Sequence, residues 1–85
     1  MSKYDIRVYV RNQLKISFGS VEASSFLDIY SKLISRRLNS RIDYKWLCCK
    51  KARVIVFLLG VPQVNYYFDS LHDKEEGEKC YVDVF

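Results

Sequence analysis

Three groups of residues in this sequence have types that could carry chemistry. Ser70, His72 and Asp73 are the residue types of a hydrolase triad. A triad, however, is assembled by a fold around an oxyanion hole and is not packed into four residues of one segment, so solvated loop side chains are the expectation. Cys48 and Cys49 are neighbours followed by Lys50 and Lys51, whose charge would favour a thiolate if it lay close. No second histidine and no Cys-x-x-Cys pair supports thiol catalysis, so these cysteines are expected to be small buried hydrophobes. Three cysteines and the single His72 also lack the paired spacing of a zinc site. With Gly19, Gly60 and Gly77 the only glycines, neither a dinucleotide fingerprint nor a Walker loop can be written. The chain is therefore expected to be non-catalytic and to need no cofactor and no metal.

The third group is basic residues interleaved with rings. Arg36, Arg37, Arg41, Lys45, Trp46, Lys50 and Lys51, with Tyr66 and Tyr67, are the candidate partner-binding set, and Arg53 continues the basic band beyond Lys51. Such cations can neutralise phosphates or acidic protein surfaces, while exposed rings can stack on bases or anchor an interface. Charge is polarised along the chain: residues 1 to 60 carry twelve Lys/Arg against four Asp/Glu, whereas residues 61 to 85 carry two against six. The band from Lys32 to Arg53 holds eight cations and only Asp43 as a counter-charge. A patch of that strength steers association with an acidic partner.

The elements that must position these residues follow from periodicity. Tyr4, Ile6, Val8 and Val10 alternate with polar neighbours, and Leu14, Ile16 and Phe18 continue the pattern, which predicts a hairpin. A three-residue loop, Arg11 to Gln13, would set Val10 opposite Leu14, Val8 opposite Ile16 and Ile6 opposite Phe18 on one face. Gly19 and Ser20 then punctuate. Phe26, Leu27, Tyr30, Leu33, Ile34 and Leu38 form a helical stripe, with Ser20 or Ser25 as N-cap, Arg36 and Arg37 in the last turn and Asn39 as a left-handed stop. Alternation over Ile42 to Cys48 predicts a third strand. The apolar run Val54 to Leu59 predicts a central strand covered on both faces. Gly60 to Gln63 reads as a turn, Val64 to Phe68 as its returning strand, Asp69 to Lys79 as an exposed acidic loop, and Cys80 to Phe85 as a last strand.

The expectation is a single α+β domain over residues 1–85, a small and mostly antiparallel sheet with one helix packed on one face, in the order ββαββββ. At 49% hydrophobic and 15% aromatic the chain is too rich in core-formers to be disordered. No apolar run reaches membrane-spanning length, because Gly60 and Pro62 interrupt the one that begins at Val54. The alternating N-terminus lacks the apolar stretch of a secretory signal, and the odd cysteine count argues against a disulfide framework. A cytoplasmic location follows, in a host cell if the gene is viral. One helix cannot cover both faces of such a sheet, so an outer layer drawn from Tyr9, Trp46, Tyr66, Tyr67 and Tyr81 is expected to meet a subunit or a partner. The functional expectation is a protein-binding inhibitor or adaptor, its Lys-, Ile-, Tyr- and Ser-rich makeup suiting a phage or mobile element, with a homodimer possible. DNA or RNA binding through the band Lys32 to Arg53 is the alternative.

Overall fold

The computed structural model describes residues 2–68 and 81–84. The first two strands, β1 (Ser2–Val10) and β2 (Gln13–Ala23), pair antiparallel. Their turn is two residues, Arg11 and Asn12, both at positive φ (56° and 64°), so Val10 faces Gln13 and Tyr9 faces Leu14. This replaces the expected three-residue loop, because positive φ at both central positions matches the right-handed twist of the flanking strands. A register shift between Val8 and Tyr9 absorbs the difference, and Val8 still faces Ile16 and Ile6 still faces Phe18, as the alternation predicts. Gly19 and Ser20 do not end β2. They form a second bulge opposite Asp5, and pairing resumes at Tyr4 and Val21.

The first helix, α1 (Phe26–Ile34), starts at Ser25, whose hydroxyl accepts from the Asp28 N–H at 3.2 Å. The Asp28 carboxylate reaches back to the Ser24 N–H at 3.0 Å, so one donor of the first turn and one just before the cap are both satisfied. The helix stops earlier than Asn39, at Arg36, which takes φ 67°. Arg36 is held there by Asp43, whose Oδ2 accepts from its Nε and Nη2 at 3.1 and 2.6 Å.

Residues 44–49 are helix α2 (Tyr44–Cys49) and not the expected third strand, so the fold has two helices and the order ββααβββ. Three alternating positions fit a period of two by coincidence. The deciding feature is Asp43, an N-cap whose Oδ1 accepts from the Trp46 N–H at 2.8 Å. Helix α2 ends in a paired motif: the Ala52 N–H reaches the Leu47 carbonyl at 2.9 Å and the Lys51 N–H the Cys48 carbonyl at 3.1 Å, with Lys51 left-handed at φ 52°.

Strands β3 (Arg53–Leu58), β4 (Val61–Tyr67) and β5 (Tyr81–Val84) complete a five-stranded antiparallel sheet of order β2-β1-β3-β4-β5, with β3 central as expected. The β3–β4 turn is Leu59–Gly60 (φ 52° and 79°) and not Gly60 to Gln63. Leu59 is consequently 94% exposed, outside the covered run. Pro62 enters β4 at a register shift, where its missing N–H leaves no ladder bond unmade. The acidic segment from Asp69, together with Ser70, His72, Asp73 and Cys80, lies outside the described residues. No helix among those described is long and apolar enough to cross a membrane.

Both helices pack on one face of the sheet. Ile6, Val8, Val54, Val56 and Val64 are buried beneath Ile29 and Leu33 of α1 and Leu47 of α2. Tyr66 belongs to this core: it is 4% exposed, its ring lies 5.2 Å from that of Tyr30, and its hydroxyl donates to the Phe26 carbonyl at 2.9 Å. Tyr66→Phe is expected to lose about 1 kcal/mol with the hydrogen bond that ties β4 to the start of α1, a change that urea denaturation would resolve.

Acid should unfold the protein through its helix caps. The Ser24 N–H, with Lys32 at 3.4 Å, holds Asp28 below the ordinary carboxylate value of 3.8. Arg36, and then the Trp46 N–H, do the same for Asp43. A depressed folded value means stability that is complete above the unfolded value and lost as pH falls through the folded one. The melting temperature is expected to drop below about pH 4, and an Asp28→Asn/Asp43→Asn variant should start lower and follow a flatter profile.

Candidate functional site

The face of the sheet away from the helices carries the odd-numbered residues of β1 and β3. The Arg7 guanidinium lies 4.3 Å over the Phe57 ring and is held by Asp5 at 2.9 Å, so it shields a ring that neither described helix covers. Ile55 and Phe57 are half-buried, unlike Val54 and Val56 on the other side. The expected cover on both faces is thus a helical layer on one and the sheet's own side chains on the other. Tyr9 of β1 faces Arg53 of β3, and Arg53 faces Tyr67 of β4. The Arg53 guanidinium sits 5.9 Å from each ring centre.

This row opens into a cleft of about 840 Å³ at one end of the sheet. One wall is the hairpin end from Tyr9 to Lys15, the other the segment from Cys49 to Arg53 that leads from α2 into β3, with Tyr67 beside them. Five cations line it, Arg11, Lys15, Lys50, Lys51 and Arg53, and among the described residues no carboxylate does. None of the five has an ion pair among the described residues, whereas Arg7, Lys32 and Arg36 are each paired. The Nε of Arg53 is shielded from water and donates to no acceptor there. Its guanidinium is therefore held by rings, and no carboxylate among the described residues compensates its charge. Arg11 and Lys51 both occupy left-handed backbone, which costs a residue with a Cβ about 1–2 kcal/mol.

The candidate residues divide. Lys50, Lys51 and Tyr67 line the cleft. Arg36 is committed to Asp43, and Arg37, Arg41 and Lys45 are exposed but lie on the connector between the helices and on α2, outside the cleft. Trp46 is half-buried against the core, and Tyr66 is internal, so neither joins the outer layer; residue 66 faces the helices because the period of two sends it opposite to Tyr67. Of the expected outer rings, Tyr9 and Tyr67 lie on the helix-free face, and Tyr81 pairs with Tyr67 through its backbone. Cys48 packs at the core edge, but Cys49 is exposed in the cleft and not buried. Arg11 and Lys15 were not among the candidates. They lie some forty positions from Lys50 in the sequence, and only the β1–β3 pairing joins them to it. Among the described residues no cluster of His, Cys, Asp or Glu could hold a metal ion.

No protein-family model, no curated protein and no solved structure matches this chain.

Proposed function

We propose that this chain is a non-catalytic binding module that docks an anionic macromolecule through the basic cleft. The observation that carries this reading is the gathering of five cations around one concavity, with no ion pair and no carboxylate there among the described residues. Concave walls and like charges concentrate the field, which raises local anion concentration and association rate.

Retention on an immobilised polyanion such as heparin tests it. Wild-type protein is expected to elute only at raised salt, and a Lys50→Glu/Lys51→Glu variant, altered at two exposed positions, near the void. Equal elution of a folded variant would overturn the reading.

A second reading, an inhibitor or adaptor docking an acidic protein, is favoured by the helix-free sheet face. Ile55, Phe57, Tyr9 and Tyr67 there combine apolar and ring surface with Arg7 and Arg53, the residue types enriched at interface hot spots. Ile55→Asp, central on that face, is expected to abolish capture of a nuclease-resistant protein partner while leaving heparin retention unchanged.

A further inference from the structure

The cleft couples charge to rings in a way that identifies its ligand. We infer that the anionic partner is a single-stranded nucleic acid, its phosphates along the cations and its bases against Tyr9 and Tyr67; this rests on the cleft being an anion site. Cations alone would suit any polyanion. What adds specificity is the row Tyr9, Arg53, Tyr67, in which two half-buried rings flank one guanidinium on the helix-free face and border the same cleft. A positively charged groove that tracks the backbone, with rings on which successive bases stack, is the general solution for binding unpaired strands.

The surroundings suit bases better than an acidic peptide. Leu14 stands opposite Tyr9 in the pairing and is 54% exposed on the cleft wall, extending the apolar surface beside the ring. Carboxylates engage the cations alone, whereas each nucleotide of an unpaired strand brings a phosphate for a cation and a flat base for a ring. A duplex would present stacked, paired bases that such rings cannot reach, since stacking requires bases that are already splayed out. The outermost cations come from two turns, Arg11 from the β1–β2 hairpin and Lys51 from the end of α2, both in left-handed backbone. Their charges thus flank the ring row from opposite walls.

The test is fluorescence anisotropy of a labelled oligothymidylate, with inorganic polyphosphate, poly-glutamate and a duplex as competitors. Five phosphate contacts would give a slope of log affinity against log salt near −3.5, or roughly 100-fold weaker binding between 50 and 200 mM salt. Tyr67→Ala and Tyr9→Ala are each expected to weaken the oligonucleotide by about 5-fold or more, the loss of one stacked base, while polyphosphate affinity stays unchanged. That pattern, with duplex and poly-glutamate the poorer competitors, supports the inference. If folded tyrosine variants bind the oligonucleotide as well as wild type does, or poly-glutamate competes equally, the nucleic-acid assignment fails and the anion site stands. If neither oligonucleotide nor polyphosphate binds, the anion site fails with it.

Discussion

Phe68→Ala is expected to remove about 3–5 kcal/mol of stability, the cost of emptying a core position that a large ring fills. Phe68 is completely buried, its ring is parallel to Tyr30 at 6.2 Å and meets Tyr44 edge-on at 5.9 Å, and its N–H donates to the Ala52 carbonyl at 2.9 Å. It therefore joins α1, α2 and the end of β4 at one point. Total stability for a domain of this size is on the order of 5–15 kcal/mol, so this single change should bring it close to the threshold. Chemical denaturation measures the loss directly. A cost below about 1 kcal/mol would mean that the helices are not anchored through this ring. Because Lys50 and Lys51 close α2, whatever fraction of the variant stays folded should also bind polyanions less well.

Lys51→Gly is expected to move stability and binding in opposite directions. At φ 52° the lysine sits where glycine is the usual choice at the end of a helix, and removing the Cβ should stabilise the fold by about 1 kcal/mol. The same change removes a cation from the cleft wall. One phosphate contact fewer should flatten the salt dependence by about 0.7 in slope. Thermal denaturation and the salt titration, made on one preparation, read both effects. A variant that is more stable and binds as tightly as wild type would show that Lys51 is there for no electrostatic reason. Arg11, at φ 56° in the hairpin turn, faces the same choice, and glycine there should repeat the pattern.

The strained positions also show where local rules and the fold part company. Turn chemistry favours glycine or asparagine at Arg11 and Lys51, yet both positions hold cations that border the cleft. Local conflicts of this kind concentrate where function overrides stability. The α1 stop at Arg36 has another cause, since its ion pair with Asp43 is built into the link between the two helices.

Local pattern was sufficient for the two strands of the opening hairpin, for the helix at Phe26 and for the β3 strand, because each depends on neighbours within a few residues. Alternation in Tyr4 to Val10 selects a face whatever the partner strand, and Ser25 caps its helix with atoms three residues away. It failed at residues 44–49, where Tyr44, Trp46 and Cys48 suggest alternation but the outcome rests on the Asp43 cap and on burying Leu47. Nor did it show which cations the fold gathers. A linear run from Lys32 to Arg53 is continuous only on paper; the fold commits Arg36 to Asp43, leaves Arg37, Arg41 and Lys45 outside the cleft, and recruits Arg11 and Lys15 from the first hairpin. That recruitment follows from β3 inserting between β1 and β4, which makes Tyr9, Arg53 and Tyr67 neighbours. Strand order is decided by long-range packing energy, and no local periodicity encodes it.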